Sequence, residues 1–401
     1  MFGWADRYGG IGVGRNGGSG RNVVINGLQV KGIGRTPLLG QGVEIGHASG
    51  GCYFEEALRE TIFAEIVAAE FPHGAVPVLA LIDTGLVQQW HPGVFPTAER
   101  RVLMVRPAFL RCAHFERAFG FDSSQLHEGM RDTARVRAMF EGFIGTVGND
   151  AAIQTFTSFG IRLAEQIGYG FAHRLAHSSV TSSNAALDGR LLDFGAMTAL
   201  PTWADIATML TRRSFERQFD PVGNALQGLR FSAARYGQLD LPDTLSLARR
   251  AFKATVTSEV LRVLGASNEL VSEVRQREDL CGAWPPVAKI LLHFQHEKLD
   301  FAQAVSEPRL VWDVDRVWDE SPPQHLRAAK AWLQTFVGQS ERSRAMTQCQ
   351  ALSRPRMHMA RQSLRSRLHA ALGEPDMLPN EDFITDLINR EVESARRDLR
   401  P

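Results

Sequence analysis

The stretch His177–Gly195, HSSVTSSNAALDGRLLDFG, decides how the rest of the chain is read. Its first half, His177 to Asn184, is polar and poor in helix formers, so it reads as a loop. Asn184 precedes Asp193 by nine residues, and Asp193-Phe194-Gly195 spells DFG. An amide oxygen and a carboxylate are hard ligands, suited to holding a divalent cation against phosphate. The tripeptide alone is common by chance, and its weight comes from what precedes it.

Upstream lies a glycine-rich run, Gly9, Gly10, Gly12, Gly14, Gly17, Gly18 and Gly20, ending at Arg21. Glycines allow backbone N–H groups to approach phosphate closely, which makes Gly14, Gly17, Gly18, Gly20 and Arg21 candidate nucleotide contacts. A glycine-rich segment with no ligand would read the same way. Next come NVVIN (Asn22 to Asn26) and LQVK (Leu28 to Lys31), which flank Gly27 and predict a tight hairpin. Lys31 ends that hairpin. The chain holds 45 basic residues, of which only Lys31, Lys253, Lys289, Lys298 and Lys330 are lysine. Lysine is a compact point charge suited to phosphate, whereas arginine is a planar fork, although an edge-strand lysine is the plainer reading. Phe54 to Phe71 predicts a helix whose apolar arc is Leu58, Ile62, Phe63, Ile66 and Val67. Glu60 and Glu65 fall near the edges of that arc, and Glu55, Glu56 and Glu70 are also available to hold Lys31. A glycine loop, a strand lysine, a helix glutamate, a loop asparagine and a DFG aspartate, in that order, make the phosphate-holding layout of kinase-like proteins.

The expected fold class is α+β, a protein-kinase-like bilobal arrangement with a small β-rich lobe carrying one helix and a larger helical lobe. The expected divisions are residues 1–120, 121–345 and a helical extension, 346–401. Val76 to Ile82 and Val102 to Val105 read as buried strands, with a turn-rich connector at 85–97. From about Ser124 helical patterns dominate: Thr155–His173, Pro201–Arg217, Pro242–Leu264, His325–Phe336 and the Arg-rich Gln348–Arg397, broken near Pro375 to Pro379. Leu191 to Phe194 reads as a short strand, and punctuation falls at 145–150, 220–223 and 285–286.

A 401-residue chain with 44% hydrophobic content can bury a large core. Its net charge of +1 argues against a nucleic-acid binder or an anionic membrane as partner. Cys52, Cys112, Cys281 and Cys349 are too scattered for a disulfide framework or a zinc site. The N-terminus lacks the pattern of a secretory signal, and no apolar run is long enough to span a bilayer. A cytoplasmic protein is the expectation.

These motifs resemble those of the selenoprotein O family, kinase-like enzymes that transfer AMP from ATP to protein hydroxyl groups. LQVKGIGRTP (Leu28 to Pro37) is similar to the family's L-K-G-x-G-x-T-P strand, and RETIFAE (Arg59 to Glu65) to its helix motif beginning R-E. The latter points to Glu60 as the partner of Lys31. RPAFLRCAHFE (Arg106 to Glu116) is similar to A-P-S-x-x-R-x-G-x-F, which places Arg111 on an ATP-contacting arginine. HSSVTSSN and LLDFG resemble H-G-V-x-N-T-D-N and I-D-[FY]-G, with the same Asn-to-Asp spacing. The resemblance covers roughly residues 8–200. It departs from the family at three places: Ser183 stands where the family has an Asp, ASGG (Ala48 to Gly51) replaces a G-D-G-R loop, and Met104 replaces an arginine.

The resemblance implies an ATP-dependent transferase that uses Mg²⁺ or Mn²⁺ and moves AMP, or phosphate, to a protein or peptide acceptor. Lys31, Glu60, Asn184 and Asp193 would be its catalytic set, with Asn184 and Asp193 as metal ligands. Without the family Asp, Asp188 is a nearby substitute base. ATP-dependent activation of a carboxylate would need no such base. An inactive pseudokinase scaffold whose helical C-terminal half binds a partner protein is the third expectation.

Overall fold

The computed structural model describes residues 3–10, 17–18, 20–39, 45–90, 98–118, 126–200, 203, 219–276, 314–373 and 379–396. The fold is mixed α+β. An antiparallel sheet holds β1 (Trp4–Ala5), β2 (Asn22–Ile25), β3 (Leu28–Lys31), β4 (Cys52–Tyr53), β5 (Ala80–Gln89) and β6 (Ala98–Pro107). The hairpin forms as expected: Ile25 pairs with Leu28, and the turn residues Asn26 and Gly27 have φ of 49° and 76°. A two-residue turn of this kind needs positive φ at both positions, which Asn and Gly adopt most readily.

β6 organises the sheet. β3 pairs with it from Pro107 to Met104, β4 follows at Val102 and Arg101, and β5 lies along its other edge. Two strand expectations differ here. Residues 76–79 are outside any strand, and β5 runs on to Gln89 through the expected connector. β5 is largely exposed, not buried, because it pairs only with β6 and nothing described covers its outer face.

After a short helix, α1 (Ile45–Ala48), and β4, the helix α2 (Phe54–Glu70) follows directly. It is buried on almost every side, from Ala57 through Ala64 and again at Ile66 and Val67. A helix buried all round lies between layers, and α2 has the sheet beside it and C-terminal helices beyond. Glu65 faces solvent and Glu60 is buried.

Further along are α3 (Leu126–Val147), α4 (Asn149–Ala172), α5 (Asp220–Ser232), α6 (Thr244–Val263), α7 (Asn268–Gln276), α8 (Arg327–Leu333), α9 (Arg342–Leu352), α10 (Arg361–Leu372) and α11 (Glu381–Ala395). Asp220–Gly223, expected as punctuation, is the first turn of α5, where Pro221 sits at a position that tolerates its missing N–H. A second sheet, absent from the sequence reading, pairs β7 (Leu175–Ala176) with β8 (Thr198–Ala199). The expected helix at 201–217 lies outside the described residues apart from Trp203. One core runs from Leu58 and Phe63 of α2, through Phe156, Phe159 and Leu163 of α4 and Val256 and Val260 of α6, to Leu387 and Ala395 of α11. No helix among the described residues is long and apolar enough to cross a membrane.

Candidate functional site

The inner face of β3 is polar. Along Leu28–Lys31 the buried positions are Gln29 and Lys31, whereas Leu28 and Val30 are only partly covered. Side chains alternate across a strand, so this ordering turns the polar pair inward, the reverse of an ordinary core strand. Buried polar groups need partners. The Lys31 ammonium donates to Glu56 Oε1 at 2.8 Å and reaches Glu60 Oε2 at 3.5 Å. Glu56 and Glu60 are four residues apart and therefore share one face of α2.

Two arginines join them. Arg21 donates through Nη2 to Glu56 Oε1 at 3.1 Å and through Nη1 to the Gly51 carbonyl at 2.7 Å. Arg106 donates to Glu60 Oε1. The Asp193 backbone N–H donates to that same Glu60 oxygen at 2.9 Å. Glu60 thus ties β6 to the DFG segment, and Glu56 makes the shorter bond to Lys31. The resemblance assigns the Lys31 partnership to Glu60; the structure divides it between the two glutamates.

Asp193 has left-handed backbone geometry, φ 62° and ψ 66°, which Asp adopts more easily than most residues. Its carboxylate is half-buried and accepts no hydrogen bond from any described residue. Burial favours its neutral form, but Lys31 and Arg21 outweigh that and hold it below the usual carboxylate range. Burial likewise opposes charge on Lys31, yet Glu56 first, with help from Glu60 and Asp193, keeps it above an ordinary lysine. Lys31 and Asp193 therefore both carry charge at neutral pH, in a cluster that sets Lys31, Arg21 and Arg106 against Glu56, Glu60 and Asp193.

A small hairpin brings Asn184 back beside Asp193. Ala185 bridges Leu191, and Leu192 N–H donates to the Asn184 carbonyl at 3.2 Å. The Asn184 side chain donates to the Ser179 carbonyl at 2.9 Å, and its Oδ1 receives only a long contact from Ser183 Oγ at 3.4 Å. Behind the hairpin, His177 Nε2 donates to the Leu192 carbonyl at 2.9 Å, and its ring lies 5.5 Å from that of Phe194. Burial pushes the His177 pKa down, so it stands neutral.

The other expected residues have different surroundings. Arg111 is buried, donates to the Ser183 carbonyl and lies over the Tyr8 ring at 4.5 Å and the Phe109 ring at 5.0 Å. It anchors the Asn184 loop from below. Gly17, Gly18 and Gly20 are buried, and Gly18 N–H already donates to the Tyr8 carbonyl at 2.8 Å. Gly14 lies outside the described residues. Ser183 Oγ pairs with Thr181 Oγ1 at 2.8 Å. Asp188 sits exposed at the hairpin tip, paired with Arg190 at 2.8 Å. Met104 is fully buried opposite Lys31. A groove of about 500 Å³ lies elsewhere, between Phe109, Leu110, Thr155 and Arg162 and the Asp188 tip.

Arg106 belongs to the cluster without having been given a role, whereas Glu56 was among the glutamates available to hold Lys31. The signal for Arg106 is its register: it stands opposite Gln29, so it shares the polar inner face with Lys31. Glu116 was also missed. It is buried below the loop, and Ser182 Oγ donates to its Oε2 at 2.6 Å. Burial pushes its carboxyl up to about 7, although the Ser182 bond opposes the rise. No family model and no curated protein matches the chain.

Proposed function

We propose that this chain is an ATP-dependent transferase, similar to the selenoprotein O family, which moves AMP or phosphate from ATP to a protein or peptide acceptor. The observation that carries this reading is a buried Lys31 held by two helix carboxylates, one of which also bonds the backbone of Asp193. A lysine with its charge fixed by a helix glutamate, beside a DFG aspartate, is the arrangement that phosphoryl and nucleotidyl transfer needs.

The donor set fits a hard divalent cation. The Asp193 carboxylate is ionised and accepts no hydrogen bond from the described residues, and the Asn184 Oδ1 has only one long contact. Asn184 and Asp193 would hold Mg²⁺ or Mn²⁺, which supplies charge neutralisation between phosphate oxygens when bound. Lys31 would place a fixed positive charge on phosphate, with Glu56 and Glu60 orienting it. Arg21 and Arg106 add positive charge where the family's G-D-G-R loop and strand arginine are missing. Neither Ser183 nor Asp188 supplies a carboxylate beside Asn184. A loose transfer step depends mainly on positioning and charge, so it tolerates a weak base.

Incubation of the purified chain with α- or γ-labelled ATP, Mg²⁺ or Mn²⁺ and cell extract tests the reading. Label moving from the α position supports AMP transfer, and label from the γ position supports phosphorylation. A small-molecule product with neither supports carboxylate activation. No turnover with any metal contradicts the transferase reading and favours a scaffold.

A further inference from the structure

The C-terminal segment closes on the candidate site from behind. Arg361, the first residue of α10, donates through Nε to the Gly195 carbonyl at 2.9 Å, and its backbone N–H donates to Thr198 Oγ1 at 2.9 Å. Arg59 of α2 donates to that same Gly195 carbonyl at 3.1 Å. Glu55 of α2 lies 3.4 Å from both Arg59 and Arg365, so α10 holds the N-terminal end of α2. At the other end, Arg356 Nη1 donates to both carboxylate oxygens of Glu70 at 2.9 Å and to the Ala395 carbonyl at 3.0 Å. Arg356 and Glu70 are buried, where a bond between charged groups is stronger and far more costly to break than at the surface.

Glu56 and Glu60 lie between these two attachment points on α2, and Gly195 is two residues from Asp193. We infer that Arg361 is a positioning residue for Asp193, and that the segment Arg356–Arg365 sets where α2 presents its two glutamates. The physical reason is leverage on a strained backbone. Asp193 is left-handed, its carboxylate has no hydrogen bond of its own among the described residues, and the turn is fixed by its N–H to Glu60, the two guanidinium bonds at Gly195, the Met197 N–H to the Phe194 carbonyl at 3.0 Å and the buried Phe194 ring. Two of these anchors meet on the one Gly195 carbonyl, so losing the Arg361 guanidinium loosens the turn there.

The kinetic arm of the test rests on the transferase reading, and the exchange arm does not. The variants, made in the full chain, are Arg361→Gln, the conservative Arg361→Lys, and Arg367→Gln as control. Arg367 belongs to the same helix and pairs with Glu391 at 2.6 Å, but touches neither Gly195 nor α2. Arg361→Gln is expected to speed amide exchange at 194–199 about tenfold or more. It should lower kcat by about 10²-fold and raise the half-activating metal concentration by about tenfold. Arg361→Lys should recover part of each change, and Arg367→Gln should match the wild type. Wild-type exchange at 194–199 in Arg361→Gln, or equal losses in Arg367→Gln, would overturn the inference. If the wild type transfers nothing from ATP, the transferase reading falls and the exchange result alone decides this one.

Discussion

Lys31 lies at the centre of the site, and its removal is the most direct chemical test. Lys31→Ala takes away a charge that the transition state would use, at a cost of about 3 kcal/mol, or roughly 10²-fold in kcat. Turnover at the wild-type rate would remove the site assignment. The two glutamates separate by a different assay. Glu60 neutralises a buried Arg106 and bonds Asp193, so Glu60→Ala strands a buried charge and should destabilise the chain by about 3–5 kcal/mol in a denaturant titration. Glu56 is more exposed, at 21% of its side chain, so Glu56→Ala should cost less stability while still lowering activity. That Lys31 meets a glutamate of α2 was legible, because its place at the end of the hairpin and ahead of the helix can be read from the sequence. The division of labour between Glu56 and Glu60 was not, because both lie on the face of α2 that meets Lys31. Which of them sits closer depends on the axial position of the helix against β3, which no local pattern encodes.

At the scale of elements, the β2–β3 hairpin and α2 were legible because local chemistry fixes them: an Asn-Gly turn in one and an uninterrupted helix-forming run in the other. β5 was misread because its apolar residues imply burial, yet Ile82 and Leu86 are among the most exposed hydrophobics of the described residues. Burial is a tertiary outcome, and an edge strand offers no sequence signal of its own. The β7–β8 pair joins residues more than twenty positions apart through two-residue strands, too short for any periodicity. The glycine-rich segment shows how one composition serves two ends. A Cβ on Gly18, at φ +70°, would sit 2.3 Å from the Asp6 carbonyl, and nothing flexible there can yield. Gly18→Ala should therefore destabilise by more than about 1 kcal/mol. Gly34→Ala, at φ +100° but with open space around it, should cost only the backbone strain. Equal melting temperatures for the two variants would contradict this packing of the loop.

Across the whole molecule, stability and function couple through buried charge. Glu116 has a folded pKa raised to about 7 from an ordinary value of 4.5. The folded state therefore binds its proton more tightly than the unfolded chain. That contribution is fully present below pH 4.5 and is lost as pH rises through 7, about 3 kcal/mol in all. Glu116→Gln removes the ionisation, so relative to wild type it should gain stability between pH 5 and pH 8 in denaturant titrations; a parallel pH dependence in both would refute the assignment. The core that joins α2, α4, α6 and α11 makes the position of Asp193 a property of the whole chain, which local motifs could not convey. The central claim is that Lys31, Asn184 and Asp193 form a metal-dependent nucleotide site. Thermal unfolding with ATP tests it most directly, since a ligand stabilises only the state it binds, by about 2.7 kcal/mol at a hundredfold excess over Kd. The account predicts a rise in Tm with ATP plus Mg²⁺ or Mn²⁺, abolished by chelator and by Asp193→Ala; a metal-independent rise that persists in Asp193→Ala, or no rise at all, would contradict it.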